Sequence, residues 1–151
     1  MWPAINSAFR FLVDEHGFRA VGHTGQVSYL ADDLIVFPTS DQRDGFDIHL
    51  EFPSRGSASV SLGTVMAALG GSSSRIDEHA TFLRKTLVRF RQAKPNLYED
   101  LIELRFWHAP HWRKEWGFGI TMTEAAIATE QERLNRLRTY FESRDSTPND
   151  I

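Results

Sequence analysis

A chain of 151 residues, 41% of them hydrophobic and 25% charged, suits one domain with a real core. Its net charge of −3 argues against bulk nucleic-acid binding, which needs a basic footprint. The lack of cysteine excludes a disulfide framework, a thiolate metal site and a cysteine nucleophile, and it fits a reducing compartment.

Residues 4–16 read as a helix, because Ile5, Ala8, Phe9, Leu12 and Val13 recur at helical spacing. Pro3 suits its first turn, and Gly17-Phe18 suits a C-terminal cap with a hydrophobic contact. Residues 26–52 read as a three-stranded antiparallel meander. Gln26–Leu30 comes first, with Val27 and Tyr29 on one face. Ala31-Asp32-Asp33 forms a turn, and Leu34–Pro38 is a short apolar strand whose proline favours an edge or a strand end. After a loop at Asp41–Gly45, the third strand alternates strictly. Phe46, Ile48, Leu50 and Phe52 point one way, and Asp47, His49 and Glu51 the other.

Pro53–Ser59 reads as a Ser/Gly link, and Leu62–Leu69 as a helix stopped by Gly70-Gly71. Ser74 with Asp77 resembles a capping pair for a long helix from Arg75 to Ala93, striped by Ile76, Ala80, Leu83, Leu87 and Phe90. Lys94-Pro95 ends it. Asn96 with Glu99 opens a helix through Trp107, buried through Leu97, Leu101, Ile102 and Leu104. Pro110 interrupts the pattern. Thr121 with Glu124 opens a last helix to Glu142, with Ile127, Leu134, Leu137 and Phe141 as its stripe. Local strands followed by segregated helices define an α+β domain over residues 1–143, and residues 144–151 form a polar tail.

Apolar runs such as Leu34–Phe37 are too short to cross a bilayer, so no membrane contact is expected. Met1-Trp2-Pro3-Ala4 carries no basic stretch ahead of an apolar one, and the expected location is cytoplasmic.

Charge is unevenly distributed. Residues 1–74 hold four basic and eight acidic side chains, a net of −4, whereas residues 75–151 hold thirteen and twelve, a net of +1. Asp32, Asp33, Asp41, Asp44, Asp47 and Glu51 fall in one short stretch with a single arginine. An ordinary solvated loop and strand face accounts for them, and they also suit a partner-binding acidic sheet face, which is the functional reading. Calcium coordination is a third reading, but Arg43 holds a ligand position and the spacing is not that of an EF-hand.

A second candidate is the aromatic segment with Trp107, His108, His111, Trp112 and Trp116. Such rings either fill the gap between two helices or form a binding surface or a pocket for a small ligand. Two histidines and Glu115 could ligate zinc on one helix face, but Pro110 spoils that geometry and no metal or cofactor is expected. Arg84, Lys85, Arg89, Arg91 and Lys94 give the long helix a basic second half, as the helix dipole favours. Asp14-Glu15-His16 groups acid and base side chains with no paired nucleophile in view. The glycine-rich phosphate and dinucleotide loops and the serine and zinc hydrolase motifs are absent from the sequence.

The helix Phe-Arg-Phe-Leu-Val-Asp-Glu-His-Gly-Phe over Phe9–Phe18, the meander ending in Asp-Gly-Phe-Asp and the helices that follow resemble small bacterial immunity proteins of toxin systems. That resemblance spans about the first half of the chain and implies a non-enzymatic inhibitor that covers a basic partner. An acidic face would speed such an encounter by electrostatic steering. A small enzyme or ligand-binding protein with a Trp/His-lined pocket, and an assembly subunit, are the alternatives; the sequence fixes no oligomeric state.

Overall fold

The computed structural model describes residues 2–41, 45–55, 59–70, 75–92, 95–103 and 124–142. Two short helices, α1 (Trp2–Ala8) and α2 (Phe11–His16), precede a five-stranded sheet. Its strands are β1 (Arg19–His23), β2 (Gln26–Leu30), β3 (Ile35–Asp41), β4 (Gly45–Glu51) and β5 (Ser59–Ser61). They lie in sequence order and every neighbouring pair is antiparallel. Four further described helices follow: α3 (Leu62–Ala68), α4 (Ile76–Arg91), α5 (Pro95–Glu103) and α6 (Glu124–Glu142). The α+β class is as expected, with five strands where the periodicity indicates three.

The first expected helix is two. Beyond Phe9 the hydrogen bonds slip to the i−3 carbonyl, as in Arg10 N–H to Ser7 O at 3.4 Å and Leu12 N–H to Phe9 O at 3.1 Å. Phe9 and Phe11 lie nearly opposite on a regular helix, yet both are buried, and the break turns both to the core. The Gly17 cap forms as expected. Gly17 is left-handed (φ 71°), Phe18 N–H donates to Leu12 O at 3.0 Å, and Phe18 is buried.

Thr24 and Gly25, both at positive φ, form the two-residue turn of a β1–β2 hairpin. The unforeseen β1 lacks the apolar run that marks a strand: all five of its residues are exposed. Pro38 lies inside the central strand β3, not at an edge or strand end. It sits opposite Ile48 on β4, while its carbonyl accepts a bond from the Gln26 side chain on β2. The β2–β3 ladder has only the pairs Tyr29–Val36 and Leu30–Ile35, so the missing proline N–H faces a gap and costs no ladder bond.

One face of the sheet is covered. Tyr29, Val36, Ile48, Leu50, Phe52 and Val60 meet Ile5, Phe9 and Leu12 of the N-terminal helices, Leu62 and Val65 of α3, Leu83, Leu87 and Phe90 of α4, and Leu134 and Leu137 of α6 in one cluster. Phe46 and Val27 pack against its margin. Pro95 opens α5 where it was expected only to close the preceding helix, which puts Asn96 inside the first turn.

The basic half of α4 makes tertiary contacts. Arg91 forms a two-pronged pair with Asp33 (2.9 and 2.9 Å) and lies over the Phe18 ring. Arg84 pairs with Glu15 at 3.0 Å over the Phe11 ring. Buried Arg89 donates to Tyr140 O at 2.8 Å, and the Tyr140 hydroxyl donates to Arg89 O. Between α5 and α6, buried Asp100 accepts both prongs of Arg136 at 2.8 Å. That contact raises the Arg136 pKa above its ordinary value.

Candidate functional site

The second sheet face faces solvent. Arg19, Val21 and His23 of β1 lie beside Leu30, Ser28 and Gln26 of β2. Ile35, Phe37 and Thr39 of β3 lie opposite Glu51, His49 and Asp47 of β4. All of these side chains are partly or fully exposed. The strict alternation of β4 produces this division, since each residue sent to the core sends its neighbour outward. Leu30, Ile35 and Phe37 give the face an apolar centre, and the Phe37 ring stacks on His49 at 5.1 Å.

Polar contacts are concentrated where β4 meets β5 and the chain leaves the sheet for α3. β5 ends at the pair His49–Ser61, so Ile48 N–H has no strand to reach. Asp47 Oδ1 accepts that N–H at 2.8 Å and the Ser61 hydroxyl at 2.9 Å. With its proton directed at Asp47, the Ser61 oxygen turns a lone pair to Thr64 N–H (3.2 Å) and caps α3. Asp47 Oδ2 lies 3.6 Å from His49 Nε2, which shares a hydrogen bond with Thr39 Oγ1 at 3.0 Å.

Behind this corner stands His79 of α4, only 2% exposed. Its Nδ1 donates to Arg75 O at 2.8 Å, because a carbonyl can only accept, and the ring edges against Phe46 at 4.8 Å. Nε2 faces Gly63. A Cβ there would sit 3.4 Å from it and 3.7 Å from Asp47 Oδ1, so glycine permits the close approach.

The described members of the acidic set lie at two separate ends of the β3–β4 ladder. Asp32, Asp33 and Glu51 lie at one end of the β3–β4 ladder, with Glu51 opposite Ile35. Asp47 and the backbone of Asp41 lie at the other end, and Asp44 is outside the described residues. Asp47 and Glu51 stand four positions apart on β4, about 13 Å. Asp33 is neutralised by Arg91, and Asp47 is occupied in the corner. Asp32 and Glu51 make no ion pair among the described residues. Trp107, His108, His111, Trp112 and Trp116 lie outside the described residues, as do Ser74 and the 144–151 tail.

Ser61, Thr39 and His79 were not anticipated in any role. Ser61 had a signal, a hydroxyl residue directly before the apolar Leu62 run. The other two meet Asp47 and its neighbours only through tertiary packing. Among the described residues, no three His, Cys, Asp or Glu side chains are placed to hold a metal ion, and no helix is long and apolar enough to cross a membrane. Comparison with protein-family models, with curated proteins and with solved structures finds no match to the chain.

Proposed function

We propose that this chain is a non-enzymatic protein-binding domain that docks a basic partner on the solvent face of its sheet, as an inhibitor of the immunity type. The observation that carries this reading is the composition of that face. Leu30, Ile35 and the Phe37–His49 stack form a partly exposed apolar centre, and Asp32, Glu51 and Asp47 Oδ2 stand around it. An apolar centre inside a charged rim is the anatomy of a protein interface. The carboxylates of the rim would accelerate encounter with a basic surface, and the centre would hold the complex.

The test takes the partner captured by the wild-type chain and mixes it in stopped flow with wild type, with the D32K/E51K double variant and with Phe37→Lys. The expected result is a slower on-rate for the double variant, with the difference shrinking as salt shortens the Debye length from about 10 Å at 0.1 M to about 3 Å at 1 M. Phe37→Lys should chiefly raise the off-rate. A wild-type on-rate in the double variant, at both salt concentrations, removes this face from the function.

A further inference from the structure

We infer that the free edge of β1 pairs with β1 of a second copy of this chain, antiparallel about Val21, joining two five-stranded sheets into one. This inference does not depend on a basic partner and concerns a different part of the sheet.

The hydrogen-bond directions of β1 follow from its turn. A two-residue turn with positive φ at Thr24 and Gly25 makes the closing pair His23–Gln26 a bonded pair. Bonded pairs recur at every second residue, so Val21–Ser28 and Arg19–Leu30 also exchange bonds. The N–H and C=O groups of Ala20 and Gly22 therefore point away from the sheet. All five residues of the strand are exposed, so the described fold leaves that edge uncovered.

These outward groups are self-complementary. Two β1 strands related by a two-fold axis through Val21 set Ala20 of one against Gly22 of the other, twice. Each such pair exchanges two main-chain bonds. Val21, 43% exposed and one of two large hydrophobics left so open among the described residues, would meet its own copy on the axis. Arg19 would lie across from His23. Even-numbered residues face the helical side, where Ala20 and Gly22 are the smallest side chains available, and a Cβ on Gly22 would touch nothing within 4 Å.

Acidic repulsion does not oppose pairing at this edge, and Arg19 is the one formal charge on the strand. The first 74 residues carry eight carboxylates, yet β1 carries none. Asp47 and Glu51 lie on β4, three strands away, about 14 Å. Two of the usual protections, a proline and a bulge, are absent from β1, and its one charged side chain, Arg19, is at its first residue. β5, at the other margin, is three residues long and lies against α5.

Sedimentation equilibrium of the full chain, from about 10 μM to about 1 mM, reads the association. Amide hydrogen exchange at Ala20 and Gly22 reads its location. A reversible dimer is expected toward the upper end, with both amides exchanging more slowly as concentration rises. Gly22→Pro deletes an outward N–H without touching the β1–β2 bonds and should weaken dimerisation at least about tenfold. Val21→Lys should do the same by placing two charges on the axis. Gly22→Ala keeps the N–H and should stay within about twofold of wild type. A monomer at every concentration overturns the inference. So does a dimer that survives both Gly22→Pro and Val21→Lys, or one whose Ala20 and Gly22 amides exchange at a rate independent of concentration. The exchange measurement uses the wild-type chain, so it stands even if a variant fails to fold.

Discussion

The two margins of the sheet are finished in opposite ways. At β5 the backbone leaves the ladder for a helix, and side chains satisfy what the ladder drops: Asp47 takes Ile48 N–H and orients Ser61, which caps α3. At β1 only the turn is tied down. Asn6 of α1 donates to Gly25 O at 2.9 Å, and the strand beyond it is exposed along its whole length. Side-chain bonds to the backbone therefore gather where burial would leave backbone groups orphaned, and among the described residues none is made to the β1 strand, where water or another chain can reach those groups.

The largest contrast comes from placing the same carboxylate at the centre and at the open margin. Leu50 is 0% exposed in the middle of the covered face, so Leu50→Asp buries a charge and opens a hole. It should cost on the order of 4 kcal/mol in urea unfolding. Val21→Asp changes a side chain already 43% exposed and should stay within about 0.5 kcal/mol of wild type in the dilute monomer. Equal costs at the two positions would mean that β1 is not a margin.

A smaller effect separates the two margins directly. Asp47→Ala leaves Ile48 N–H uncapped and the Ser61 proton without its acceptor, at about 2 kcal/mol. Asp47→Asn retains one carbonyl oxygen for both donors and should recover most of that loss. Thermal unfolding of the pair against wild type reads the difference. If Asn behaves like Ala, charge and not the hydrogen bonds closes the corner.

The contrast between margins also marks what the sequence could reveal. β4 was legible because its alternation is itself the consequence of lying between core and solvent, and α4 because its stripe of Leu83, Leu87 and Phe90 packs at helical period. β1 was illegible for the converse reason: with every residue exposed, nothing selects apolar side chains at period two. β5 has three residues, too few for a period. The acidic stretch was visible as composition, but the division of its members between the two ends of a ladder, and the loss of Asp33 to Arg91, depend on strand register and on a helix 58 positions away.

Alkaline pH probes the contact that holds α1 to the open margin. Tyr29 is buried and its hydroxyl donates to Asn6 O at 3.3 Å. Burial pushes its pKa up, with Arg10 pulling the other way. A pKa raised in the folded state means that the unfolded chain loses its proton first. This contribution is complete below about pH 10 and is lost as pH rises through the folded value, by at most about 1.4 kcal/mol per pH unit. Tyr140 is raised chiefly by burial too, so the same sign applies at α6. Tyr29→Phe should be less stable than wild type at pH 7 by about 1 kcal/mol and should lose less stability between pH 10 and 11. Parallel pH profiles for the variant and wild type would show that the phenol does not feel the fold.

The turn of the β1 hairpin offers the smallest and most local test. Thr24 sits at φ 49° and is the only non-glycine residue at positive φ among those described. A branched Cβ is ill suited to that region, whereas asparagine enters it readily, and Asn-Gly is the favoured pair for this turn. Thr24→Asn should therefore relieve strain without altering any strand residue. The gain should be about 0.5 kcal/mol, or roughly 1–2 °C in Tm for a chain of this size. The register His23–Gln26 stays fixed by the turn, so the outward groups of Ala20 and Gly22 keep their direction. A stiffer hairpin then presents the same edge with fewer competing conformations, and self-association of β1 should strengthen slightly. A lower Tm for Thr24→Asn would mean that the threonine side chain contributes more to the folded hairpin than its backbone strain costs, and the open margin would be better anchored than its exposure suggests.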